Sequence, residues 1–126
     1  MDIQKIIEKD RENDGLYLYM EDFEFKAYGF SAYALTRIFP ELELPEELYQ
    51  EGKILLPQLI VGPKFVMENF PDYSMSANDS YIKVYPEDLY KSKIPEWRKE
   101  YDEYMIEQQK ANNKLGSCVL GFFRLG

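Results

Sequence analysis

The sequence predicts a single α+β (α/β) domain: one mixed β-sheet of about five strands flanked by helices. Three observations predict it. From Leu16 to Phe39, two alternating segments, Leu16–Met20 and Phe23–Ala27, are separated by the polar pair Glu21-Asp22 and feed a helical pattern. Strand-forming runs then recur at Gln58–Val61, Tyr81–Tyr85 and Ser117–Leu125, with helical patterns between them. Finally, Trp97, Tyr101, Tyr104 and Met105 fall at i, i+4, i+7 and i+8 in Pro95–Ala111, one apolar face of a long helix.

Each element has a local reason. Ile3, Ile6 and Ile7 form the apolar stripe of a short helix over Asp2–Glu12, with Asp2 as its cap and Asn13-Asp14-Gly15 as the turn that ends it. After the hairpin, Ser31 is placed to accept a hydrogen bond from a first-turn amide of the next helix, which carries Ala34, Leu35 and Ile38 on one side. Pro40 stops that helix. In Glu41–Glu51, five Glu and no base surround a short helix predicted from Pro45 through Tyr49. The apolar run Ile54–Val61 contains Pro57, which has no amide for a ladder, so the strand is limited to Gln58–Val61. Gly62-Pro63 turns the chain into a helix over Lys64–Phe70, and Asp72–Ser80 reads as a loop. On the polar side of the long helix, Arg98–Asp102 and Lys99–Glu103 are spaced as i, i+4 ion pairs.

Composition narrows the function classes. A chain of 126 residues, 45% hydrophobic and 30% charged, is sized for one core. No apolar run approaches the roughly 20 residues of a membrane helix, and residues 1–10 lack the apolar core of a secretory signal. The expectation is a cytoplasmic protein with no membrane partner. The single cysteine, Cys118, excludes an intramolecular disulfide framework. There is no histidine, which removes the usual general base, the commonest metal ligand and every Ser-His-Asp or Cys-His arrangement. No catalytic residues and no cofactor are therefore expected. The net charge of −8 lies wholly in residues 1–52, which hold 13 acids and 5 bases. Nucleic-acid binding normally draws on the opposite sign.

Two stretches, in order, resemble the N-terminal domain of the MutS mismatch-repair family. The first is Tyr19-Met-Glu-Asp-Phe-Glu-Phe-Lys-Ala-Tyr-Gly-Phe-Ser-Ala-Tyr-Ala-Leu35. It is similar to that family's strand-turn-strand-helix segment, Gly-Asp-Phe-Tyr-Glu-x-Tyr/Phe-Gly-x-Asp-Ala. The second, Ile60-Val-Gly-Pro-Lys-Phe-Val-Met-Glu-Asn-Phe70, is similar to its Gly-Val-Pro-x-x-x-Leu-x-x-Tyr/Phe segment. Tyr81–Tyr85 takes the place of a following strand, so the resemblance spans roughly residues 16–85 and extends to small stand-alone MutS-like bacterial proteins. It implies the fold. Aligned on Ala27-Tyr28-Gly29, the base-wedging Phe and the base-bonding Glu of the family become Glu24 and Lys26, a pair unsuited to reading a mismatch. No Gly-x-x-x-x-Gly-Lys-Ser/Thr loop is present, so no ATPase is implied.

The candidate binding surface is Phe23, Glu24, Phe25, Lys26 and Tyr28. Eleven Tyr and eight Phe are many for a core of this size, and such residues are enriched at interfaces. The sequence therefore points to a non-enzymatic interaction protein, with a protein partner or a homodimer engaged through an acidic and aromatic surface. The alternative is a binder of distorted or single-stranded DNA or RNA that uses the 16–31 hairpin; the third reading is a carboxylate- or metal-dependent enzyme. Asp72, Asn78 and Asp79 are the oxygen donors a cation would use, although their spacing matches no EF-hand loop.

Overall fold

A computed structural model describes residues 3–11, 15–70, 75–77, 81–85, 88–112 and 119–120. The chain begins with helix α1 (Ile3–Asp10), then the hairpin β1 (Leu16–Glu21) and β2 (Glu24–Tyr28), then helix α2 (Phe30–Ile38). Strands β3 (Tyr49–Glu51), β4 (Ile54–Leu56) and β5 (Gln58–Val61) follow, then helix α3 (Pro63–Asn69). The last described elements are β6 (Met75–Ala77), β7 (Tyr81–Val84), α4 (Asp88–Lys91), α5 (Ile94–Asn112) and β8 (Val119–Leu120).

The α+β class is as the sequence predicts, and five strands do share a sheet, in the order β5-β2-β1-β7-β6. Every pairing in it is antiparallel. The mixed pairing expected of that sheet lies instead in a second, three-stranded sheet ordered β3-β4-β8, where β4 and β8 run parallel. The difference arises at residues 45–56. The acidic run does not continue as a helix through Tyr49. Tyr49–Glu51 pairs with Ile54–Leu56 across a two-residue turn in which Gly52 takes φ 62°, a left-handed conformation that glycine adopts freely. Pro57 then separates β4 from β5, as its missing amide requires. The predicted loop at 72–80 also contains the short strand β6.

Alternation along the strands gives the large sheet two different faces. Leu16, Leu18, Ala27, Ile82 and Val84 line one face and pack against α2, α3 and α5 through residues that include Leu35, Val66, Trp97, Tyr101 and Met105. The predicted aromatic stripe of the long helix is thus core. The other face carries Tyr17, Tyr19 and Tyr28, covered by Ile3, Ile6 and Ile7 of α1 and by Leu56. Neighbouring rings here sit 5.4–6.5 Å apart, in edge, tilted and stacked arrangements. Among the described residues, no helix is long and apolar enough to cross a membrane.

Candidate functional site

The β1–β2 hairpin closes on the opposed pair Glu21 and Glu24, leaving Asp22 and Phe23 as a two-residue turn. Their φ angles are 52° and 64°. Positive φ at both central positions suits the right-handed twist of the strands, and the residues usually found there are Asn, Asp and Gly. Composition places the break at Glu21-Asp22; the register moves it one residue along. Moving the turn by one residue slides the pairing by two, so Phe25 and Ala27 keep the face that alternation gives them and only Phe23 changes its place. Phe23 leaves the strand and becomes the turn, where it is 99% exposed.

The five candidate residues therefore divide. Phe23 and Glu24 are exposed at the hairpin end. Phe25 lies between Met20 and Val61 on the core face and is half-buried against the core. Lys26 and Tyr28 point to the opposite face. Lys26 lies between Tyr19 and Ile60 in register, and its Nζ is 3.8 Å from Glu21 Oε2. Tyr28 is buried; its hydroxyl accepts a hydrogen bond from Gln58 Nε2 at 3.1 Å and donates one to Glu21 Oε1 at 3.5 Å. Burial pushes that hydroxyl up to about 12, with Glu21 adding to the rise and the Gln58 bond opposing it. Exposed apolar side chains beside the hairpin are Met20 (41%) and Ile60 (52%), and Met67 (82%) is exposed on α3.

The electrostatics of the tip are unusual for a hairpin. Glu21 and Glu24 face each other directly, an arrangement of like charges that weakens strand pairing. Lys26 offsets one of them. Among the described residues, Asp22 and Glu24 have no ion-pair partner.

A second polar cluster escapes sequence reasoning. Asp10, at the last turn of α1, caps α2: its Oδ2 accepts the Phe30 amide at 2.8 Å and its Oδ1 accepts the Ser31 amide at 3.2 Å. Ser31, expected to be the cap, is instead the second residue of α2. Its Oγ donates to Asp10 Oδ1 at 3.4 Å and accepts the Tyr17 amide at 3.0 Å, joining helix to strand. Gly29 precedes the helix with φ 61°, and a Cβ there would lie 2.7 Å from Asp10 Oδ2. From α5, Arg98 sets its guanidinium 3.9 Å from Asp10 Oδ2 and 3.8 Å above the Phe30 ring, and it donates to the Asp10 carbonyl. Its contacts thus cross from α5 to α1 and α2.

Burial pushes the Asp10 carboxyl up to about 6, against the pull of Arg98 and of the Phe30 and Ser31 bonds. The buried Tyr101 hydroxyl beside it has no hydrogen-bond partner among the described residues, and burial holds its pKa well above the usual tyrosine range. Only tertiary packing brings Asp10, Ser31 and Arg98 together. An Asp at a helix C-terminus carries no local signal for this role.

Among the described residues, no three His, Cys, Asp or Glu side chains are grouped to hold a metal ion. Asp72, Asn78, Asp79 and Cys118 lie outside the described residues. Comparison with family models, with curated proteins and with solved structures returns no match.

Proposed function

We propose that this chain is a non-enzymatic protein-interaction module, an accessory domain on a MutS N-terminal-like scaffold, that docks a protein partner through the end of its β1–β2 hairpin. One observation carries the proposal: Phe23 is 99% exposed on left-handed backbone. A phenylalanine there stabilises nothing within the chain. Its ring covers no core, and its backbone sits in a region that costs on the order of 1–3 kcal/mol for a residue with a side chain. Glycine would suit the turn better. Features that work against the fold mark functional positions. The opposed Glu21–Glu24 pair is a second such feature at the same end.

A nucleic-acid reading uses the same ring as a stacking platform. The charges beside it oppose that reading. Glu21, Asp22 and Glu24 flank the ring in sequence, and Lys26 is already engaged with Glu21. The deciding experiment is fluorescence anisotropy with mismatched, matched and single-stranded DNA and with RNA at low salt. It is paired with photo-crosslinking from position 23 in the cells that make the protein. The expected result is no nucleic-acid binding and discrete protein adducts. Salt-sensitive binding to any of these nucleic acids, abolished by Phe23→Ala, would replace the protein-partner reading.

A further inference from the structure

The hairpin end also specifies what kind of protein surface it fits, an inference that rests on the docking reading above. Phe23 is bracketed in sequence by Asp22 and Glu24. Both carboxylates are exposed and, among the described residues, neither is neutralised by a cation. The ring and the two charges are carried on a short stretch of backbone. A two-residue turn closed directly by the Glu21–Glu24 pair leaves little slack, so little ordering is required when the tip is bound.

We infer that Phe23 is an anchor that enters an apolar, ring-sized pocket on a partner protein, and that Lys or Arg side chains on the pocket rim meet Asp22 and Glu24. The apolar part follows from the ring: a fully exposed Phe gains most by being desolvated in a pocket, and central aromatic anchors dominate interface energetics. The cationic rim follows from charge complementarity. Two uncompensated carboxylates beside the anchor would suffer if desolvated against a neutral or acidic surface. The same charges disfavour the other occupants. Nucleic-acid phosphates and anionic lipid headgroups would approach within one screening length of three carboxylates. A second copy of this chain would bring its own net charge of −8.

The test uses the full chain. A photo-crosslinker at position 23 captures the partner in cells, and the same crosslinker at Met67, also strongly exposed (82%), serves as the comparison site. The captured protein is then purified and titrated with the wild-type chain and with two variants at low and high salt. The expected result is that Phe23→Ala weakens binding about thirtyfold. The double variant Asp22→Asn/Glu24→Gln is expected to weaken it about tenfold at low salt, a gap that closes at high salt. Equal affinity of the double variant and the wild type at low salt would overturn the cationic rim while leaving the docking reading in place. Absence of any adduct from position 23, or adducts no different from those at Met67, would overturn both. Crosslinks only to nucleic acid or to a second copy of the chain would overturn the inferred partner.

Discussion

At the scale of single residues, two side chains carry opposite lessons. Phe23 sits where its own fold gains nothing from it, so Phe23→Gly is expected to raise unfolding stability by about 1 kcal/mol by relieving the left-handed strain. Denaturant titration measures this directly; a clear loss of stability would mean that the ring supports the hairpin after all. Asp10 is the reverse case, a polar group on which local structure depends. Its carboxyl keeps its proton up to about 6 in the fold, against 3.8 in the free side chain. Between those values the folded state binds more protons than the unfolded state. The stabilisation from this group is therefore complete below about pH 3.8 and is lost as pH rises through about 6. The size of the swing is on the order of 2–3 kcal/mol. Asp10→Asn keeps one acceptor for the α2 amides and removes the titration. The stability gap between wild type and this variant is thus expected to be widest near pH 4 and to narrow toward pH 7. A gap that widens with pH would show that the fold lowers the Asp10 pKa instead of raising it.

At the scale of elements, the start of α2 shows how a helix can depend on a distant segment. Its first amides are satisfied by Asp10 of α1, and the approach is possible because residue 29 has no Cβ. Gly29→Ala would place a methyl group 2.7 Å from the capping oxygen on a backbone with φ 61°. The expected cost is about 2–3 kcal/mol, from the lost cap and the left-handed conformation together. It would be read as a lower denaturant midpoint with early amide exchange in α2. A near-neutral effect would show that the cap is dispensable. This dependence also explains which boundaries were legible. β5 was readable to the residue because Pro57 and Gly62-Pro63 bracket it with covalent constraints. The stripe of Trp97, Tyr101 and Met105 was readable because packing follows helical period. The β3–β4 hairpin was hidden because Pro45 and a run of Glu suit a helix start locally, and only pairing with β4 makes Tyr49–Glu51 a strand. The turn lies one residue beyond the polar pair Glu21-Asp22 that composition marks, because both placements turn the same strand faces toward α2 and α5 and hydrophobic alternation does not distinguish them.

At the scale of the whole molecule, charge distribution is the property that sequence reported most directly, since it needs no fold to be counted. All of the net −8 falls in residues 1–52, and folding concentrates part of it: Glu21 and Glu24 are brought face to face across the hairpin. Against this stand exposed or half-exposed pairs such as Arg37–Glu100 at 3.0 Å and Lys64–Glu68 at 3.9 Å. Such pairs contribute only about 0–1 kcal/mol each and are themselves weakened by salt. Net self-repulsion acts over the whole acidic half and is screened at the same time. The two effects have opposite signs, so salt dependence reveals which dominates. With an excess of eight negative charges, repulsion should win. Raising NaCl from about 0.02 M to about 0.3 M at neutral pH is expected to raise the unfolding midpoint, because the screening length falls several-fold over that range. Glu24→Gln should flatten the dependence, since it removes one member of the opposed Glu21–Glu24 pair while leaving Lys26 on Glu21. A midpoint that falls with salt would mean that ion pairs outweigh repulsion. The acidic hairpin end would then impose no measurable cost on the fold, and its charges would not stand out as ones kept for a partner at the expense of stability.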